Sequence, residues 1–229
     1  MVGTAVTVLP WHNPVLLAEE VATLDLLSDG RLDFGVGKGY RDIEFKGFCV
    51  PKEEAQERYE EALEIMFKAW QSTERFSYHS DRWNFEDIVV EPEVVQKPYP
   101  PIWIGGQSKP AIRRAAQIGD AWHPVGAIPA APLEPEELAE NLVLLRDYAE
   151  KAGRDPSKIQ VSVKAPLYDA NSSGDIRRRF SGSADEVRQD VQTYADVGVT
   201  HLIFDFRTAD PNQTEDRMAR FSEEVMAVT

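Results

Sequence analysis

The chain is nearly free of cysteine: Cys49 stands alone among 229 residues. That excludes an internal disulfide framework and fits a reducing compartment, the cytoplasm. Positive charge is also scarce, with 25 lysines and arginines against 39 aspartates and glutamates and a net charge of −14. This balance argues against nucleic acid and anionic membrane surfaces as partners. No apolar run reaches the roughly 18 residues of a membrane span. The first residues carry no basic segment of the kind that opens a signal peptide. The histidines, His12, His79, His123 and His201, are too scattered for a local zinc motif, so no metal site is expected. No Gly-x-x-x-x-Gly-Lys-Ser/Thr loop, internal repeat or low-complexity tract is present. What remains is a globular composition, 42% hydrophobic and 10% aromatic, able to bury a sizeable core as one domain or as two.

The order of patterns is that of a parallel α/β protein. Residues 2–9 are rich in β-branched types and end at Pro10, which reads as a strand that the chain enters directly. Asn13 before Pro14 is an N-cap with proline at the first helical position. Leu17, Val21, Leu24 and Leu27 then follow at helical spacing, with Gly30 as the C′ residue. A strand over 31–37 comes next. Residues 40–100 break the rhythm: a loop over 40–51, a helix over 53–71 with Tyr59, Leu63, Met66, Phe67 and Trp70 inward, then extended chain over 76–95. A connection this long is usually functional, and it is the expected lid. The rhythm resumes with a strand over 101–106 and a helix carrying Ile112, Ala115, Ala116 and Ile118, stopped by Gly119. A short strand over 121–123 precedes a helix over 135–151 with Leu138, Leu142, Leu145 and Ala149 on one face. A strand over 159–167 and a polar loop over 169–182 lead to the capping box of Ser183 and Glu186. That box opens a helix with Val187, Val191 and Tyr194 inward. A strand over 200–206 and a helix carrying Met218, Phe221 and Val225 complete the pattern. Six strands each followed by a helix give a parallel sheet, either open and doubly wound or a (β/α) barrel with about six of eight units.

Two strand ends carry the chemistry. Arg31-Leu-Asp-Phe-Gly-Val-Gly-Lys-Gly-Tyr40 ends a strand in Gly35, Gly37 and Gly39 and places Lys38 among backbone N–H groups, a setting suited to a phosphate. Gly105, Gly106, Gln107 and Ser108 lead from a strand into a helix, whose N-terminus favours an anion. Both lie at carboxyl ends of parallel strands, where α/β folds place ligands, and together they suggest one phosphate site. Simple N-capping explains Ser108 equally well. A Rossmann fingerprint does not fit, because Tyr40 and a loop follow the glycines where a helix should open. His12 and His123 lie just past strand ends and are the candidate catalytic side chains, although packing roles are the commoner use of such histidines. Arg177, Arg178 and Arg179 read as a solvated basic patch or as a clamp on an anionic ligand. Trp11, Tyr40, Phe45, Phe48 and Trp122 either line a pocket for a flat ring or acyl chain or form core at the rim.

Several motifs in order resemble one family. Gly3-Thr-Ala-Val-x-Val-Leu-Pro10, Asn13-Pro-Val-x-Leu-Ala-Glu19, Leu24-Asp-x-Leu-Ser-x-Gly-Arg31, Phe34-Gly-Val-Gly-x-Gly39, Pro100-Pro-Ile-Trp-Ile-Gly-Gly106 and Ala115-Ala-x-x-Gly-Asp-Ala-Trp122 are similar to the bacterial luciferase-like monooxygenases over essentially the whole chain. The resemblance implies a TIM-like barrel, residues 1–229 being a single luciferase-like domain, that binds reduced FMN, or F420 in related branches. It implies oxygenation of a small organic substrate by reduced flavin and dioxygen. The alternatives are an F420-dependent dehydrogenase or reductase, and a flavin-binding or assembly subunit without activity of its own. By resemblance the cofactor residues are Gly37, Lys38, Gly39 and Tyr40, with Gly105, Gly106, Gln107 and Ser108. Ala5 and Val6 fall near the strand-end bulge, often with a non-prolyl cis peptide, that supports the flavin ring. A flavin reductase and a second subunit are the implied partners. Family members carry two further βα units ahead of the first strand found here. The expectation is therefore a fragment, or a short form completed by a partner chain, with residues 2–9 at an open sheet edge.

Overall fold

The computed structural model describes residues 1–126, 131–170, 172, 174 and 177–228. Of the polar loop expected over 169–182, residues 171, 173, 175 and 176 lie outside that set. The chain forms two compact units, Met1–Gly105 and Gly106–Thr229.

In the first unit the expected opening strand is split into β1 (Val2–Gly3) and β2 (Thr7–Val8), both parallel to β3 (Leu32–Gly37). The split has a visible partner. Thr4 Oγ1 donates to the Gly35 carbonyl at 2.7 Å, so the chain between the two pieces leans onto β3. On its other side β3 pairs in parallel with β6 (Ile102–Gly105). Helix α1 (Pro14–Leu27) starts as expected: Asn13 Oδ1 accepts from the N–H groups of Val15 and Leu16, and Pro14 opens the first turn.

Its inward face is rotated from the expected one. Leu17, Ala18, Val21, Ala22 and Asp25 are buried, whereas Leu24 and Leu27 are 37% and 77% exposed. Leucines fall on both faces of this helix, Leu17 buried and Leu16, Leu24, Leu26 and Leu27 exposed, so spacing alone cannot choose a face. Buried Asp25 decides it. Asp25 accepts from the N–H groups of Val95 (2.8 Å) and Gln96 (2.9 Å) and from Gln96 Nε2 (2.8 Å). The helix ends with Asp29, not Gly30, at C′. The Asp29 N–H donates to Leu26 and the Gly30 N–H to Asp25, and both residues have positive φ.

The stretch expected as a loop contains α2 (Asp42–Gly47), whose charges suit the helix dipole, with Asp42 and Glu44 in the first turn and Lys46 in the last. It closes with N–H bonds from Cys49 to Lys46 and from Val50 to Phe45, which leaves Cys49 at φ 55°. Glycine is the residue this position favours. Cys49→Gly is therefore expected to raise stability by about 1 kcal/mol in urea denaturation, and Cys49→Ala to give no such gain.

Helix α3 (Ala55–Gln71) buries Tyr59, Leu63, Met66 and Trp70 as expected, with Phe67 at its margin. The extended segment is a hairpin of β4 (Phe76–His79) and β5 (Asn84–Ile88). Three ties hold it to α3. Arg82 pairs with Glu57, Glu61 and Glu54; Lys68 Nζ donates to the Ser77 carbonyl; and Tyr78 donates to Glu64.

The second unit repeats strand and helix: α4 (Lys109–Ile118), β7 (Ala121–His123), α5 (Pro135–Lys151), β8 (Gln160–Leu167), α6 (Ala184–Val197), β9 (His201–Asp205) and α7 (Pro211–Glu224). Strands β7, β8 and β9 are parallel neighbours. Leu138, Leu142, Leu145 and Ala149 face inward on α5, and the Ser183–Glu186 capping box forms. Arg154 finishes α4 by donating to the carbonyls of Ala115, Ala116 and Gly119. On the last helix Phe221 is buried, as is Val225 just beyond it, against Tyr168 and Val187. That cluster reaches only the second half of α7, and Met218 is 52% exposed instead of inward.

Candidate functional site

The glycines at the end of β3 have an internal use. A Cβ on Gly35 would stand 1.9 Å from the Thr4 carbonyl oxygen, and one on Gly37 would stand 2.6 Å from Val6 Cγ2. A Cβ on Gly105 would meet Val6 Cγ1 and the Val36 carbonyl at 3.1 Å. The space that these glycines leave is taken by the chain's own Thr4–Val6 segment. The Ala5–Val6 peptide in that segment is cis. Ala5, Val6, Gly35, Gly37 and Gly105 are thus brought together in the first unit. Gly39 has φ 81° and lies against Val8 and Phe45, so it turns the chain away from β3.

Lys38 sits between two of these glycines and is exposed. Among the described residues it makes no ion pair and no side-chain hydrogen bond. The neighbouring Tyr40 is 75% exposed, with the Arg41 guanidinium 5.5 Å from its ring centre. Trp11 stacks on Phe48 with ring centres 4.8 Å apart and meets Phe45 edge-on at 5.6 Å, so these three form a cluster that Tyr40 does not join. His12 is half-buried beside Trp11 in sequence, where its N–H closes a short turn on the Leu9 carbonyl.

The remaining expected cofactor residues belong to the second unit. Gly106 has φ 124°, and its carbonyl accepts from Trp122 Nε1 at 2.7 Å, which fixes the turn before α4. Trp122 is fully buried in this role. Ser108 caps α4, its Oγ accepting from the Ala111 N–H at 3.4 Å, so the capping reading of Ser108 holds. Pro110 removes one further first-turn donor. Gln107 is half-buried between them. An exposed cation at the end of β3 and the start of a ten-residue helix are each, separately, chemically suited to a phosphate group such as a flavin cofactor carries.

His123 is 2% exposed, and its Nδ1 lies 3.1 Å from Ser162 Oγ. Burial pulls its pKa down to about 4; the Ser162 hydrogen bond works against this and the charge of Lys164 adds to it. The imidazole is therefore neutral near pH 7, able to hydrogen-bond but not to supply a proton. Within the arginine run Arg178 is exposed, whereas Arg177 and Arg179 are taken up by ion pairs. Arg177 and Arg179 converge on buried Asp190, and Arg179 also pairs with Glu134. Among the described residues no group of histidine, cysteine, aspartate and glutamate could hold a metal ion, and no helix is long and apolar enough to cross a membrane.

Residues 1–228 match the family described as luciferase-like monooxygenase. The chain belongs to that family. An FMNH(2)-dependent dimethylsulfone monooxygenase of Pseudomonas putida is 34% identical over 117 residues, covering 50% of this chain and 31% of that protein. The matched stretches cover between 31% and 44% of the length of three such curated relatives. The monooxygenase RslO1 of Streptomyces bottropensis superposes with a TM-score of 0.82 at 22% identity, over 98% of this chain and 77% of that one. An F420-dependent secondary alcohol dehydrogenase in complex with an F420-acetone adduct superposes with a TM-score of 0.77 at 18% identity, over 99% and 79%. The fold is accordingly that of a luciferase-like (β/α) barrel in incomplete form, with six parallel strands when β1 and β2 count as one.

Two features of the luciferase-like chain escaped the sequence reading. One is the Asp25–Gln96 clasp. The other is the polar pair Ser162 and Lys164 inside the strand β8. The second had a signal: Val161, Val163 and Ala165 alternate with these polar residues along β8.

Proposed function

We propose that this chain is a flavin-dependent oxidoreductase, a monooxygenase that uses reduced FMN and dioxygen on a small organic substrate. The observation that carries the reading is Lys38, an exposed cation without a partner among the described residues, held at the carboxyl end of β3 by glycines on either side. Family membership and the FMNH(2)-dependent relative support it. When bound, the flavin would supply the redox chemistry. The chain's part is to hold the phosphate at Lys38 and to support the ring near Ala5 and Val6, with Gly106–Ser108 the cofactor candidates of the second unit. A separate reductase would deliver the reduced flavin. Within residues 40–100 the lid role falls to 40–51. There Tyr40, Ile43 and Phe48 are exposed past the end of β3, whereas the hairpin is pinned to α3.

Lys38→Ala is expected to weaken FMN binding by about 1.5–3 kcal/mol, the scale of a charge-assisted hydrogen bond, and to leave riboflavin binding unchanged. It should also flatten the salt dependence of FMN binding. Equal losses for FMN and riboflavin would move Lys38 out of the phosphate site. An F420-dependent dehydrogenase is the second reading, supported by the second solved relative. Titration of the two oxidised cofactors decides between them, and tighter F420 binding would reverse the order. Absence of turnover by the purified chain alone, with flavin binding intact, would favour a subunit that needs a partner.

A further inference from the structure

One face of β7 and β8 holds a charge that no other side chain among the described residues answers. Trp122 lies opposite Val161, and Val125 opposite Lys164, so His123 with Ser162 and then Val125 with Lys164 form successive rows. Val161 lines the groove that Leu142 and Leu145 of α5 also line, so the odd-numbered apolar residues of β8 face the helices. Ser162 and Lys164 face the other way. Ser162 is fully buried against His123, and Lys164 is half-buried one row further along, opposite Ile203 of β9. The chain carries 39 acidic residues, yet among the described residues none forms an ion pair with Lys164, and its ammonium makes no hydrogen bond. A strand interior that needs only packing takes an apolar residue here. A half-buried lysine on this face, with no counter-charge among the described residues, is not explained by packing alone.

We infer that Lys164 is the anchor of a subsite for the carboxylate of a small organic ligand, on a floor set by the Ser162–His123 pair. One ammonium matches one negative charge. A phosphate dianion would call for further donors, and the backbone here has few left, since the Lys164 N–H donates to Pro124 and the Gly126 N–H to Lys164. The neutral imidazole of His123 adds no second cation. The subsite stands apart from the cofactor reading and is tested without flavin.

The test is titration of the full chain by calorimetry with benzoate, its neutral counterpart benzamide, and inorganic phosphate. Saturable benzoate binding is expected, with benzamide and phosphate weaker. Lys164→Gln should weaken benzoate binding by about tenfold or more, the scale of one charge-assisted contact. Lys164→Arg should retain it, and so should Lys38→Ala. Thermal unfolding of each variant confirms that a folded protein is compared, and if Lys164→Gln does not fold, Lys164→Met takes its place. Benzamide binding as tightly as benzoate, phosphate binding more tightly, or benzoate binding unchanged without the lysine would each overturn the assignment. None of these outcomes bears on the FMN titrations of Lys38.

Discussion

Replacing Asp25 with alanine is expected to cost the chain about 3–5 kcal/mol of stability. Asp25 is fully buried, and its carboxylate accepts from the Val95 N–H, the Gln96 N–H and Gln96 Nε2. The same Nε2 donates to the Leu32 carbonyl at 2.8 Å, where β3 begins. One side chain on α1 thus fixes the far end of the long connection, just before β6, against the first residue of β3. Alanine would strand these donors. Each buried unsatisfied group costs about 1–3 kcal/mol, and the part-buried surroundings let water recover some of it. For a chain of this size the loss corresponds to a fall in Tm of roughly 10 °C. Asp25→Asn keeps the shape and one acceptor oxygen but turns an amide donor toward an N–H, so about 2 kcal/mol is expected. Urea denaturation checks both. An alanine variant within about 1 kcal/mol of the parent would show that the clasp contributes little.

The same residue marks where sequence reading stops. The start of α1 was legible because its cap is local: Asn13 and the N–H groups it serves lie within three residues. The Ser183–Glu186 box and the inward stripe of α5 were legible for the same reason. The face of α1 was not, because an aspartate ranks as a surface residue until its partners 70 positions away are known. The glycines of β3 were read as room for a ligand. In fact Thr4 and Val6 fill the space at Gly35 and Gly37, and that contact spans about thirty residues. Of the candidate site, Lys38 was visible because glycines flank it in sequence. Lys164 was visible only as an oddity of strand alternation, and its meaning depends on what faces it. Arg177 and Arg179 could not be matched to Asp190 by any local rule, since that partner lies on the next helix.

Asp190 is where the remaining large effect is expected. Arg177 donates to both of its oxygens, at 2.7 and 3.1 Å; Arg179 donates at 3.1 Å, and the Phe180 N–H at 2.7 Å. Phe180 is fully buried and has φ 60°, a left-handed backbone that a bulky residue avoids, so it relies on such support. Asp190→Asn removes the charge, keeps the size and turns an amide donor toward a guanidinium. Breaking a buried pair from one side costs about 3–5 kcal/mol. Arg177 and Arg179 retain 20% and 36% side-chain exposure, so solvent relieves part of that cost and about 3 kcal/mol is expected. The pH dependence gives an independent check. Burial pushes the Asp190 carboxyl upward, but Arg177, the Phe180 N–H and Arg179 outweigh it and hold the pKa below the usual carboxylate range. A carboxyl whose pKa is lower folded than unfolded stabilises the fold above its ordinary value, about 3.9, and that contribution is lost as the pH falls through the folded value. Urea midpoints measured from neutral pH down to about pH 3 should therefore fall more steeply for the parent chain than for Asp190→Asn, and the gap between the two should narrow with acid. Parallel profiles would mean that the arginines are held by something other than this carboxylate.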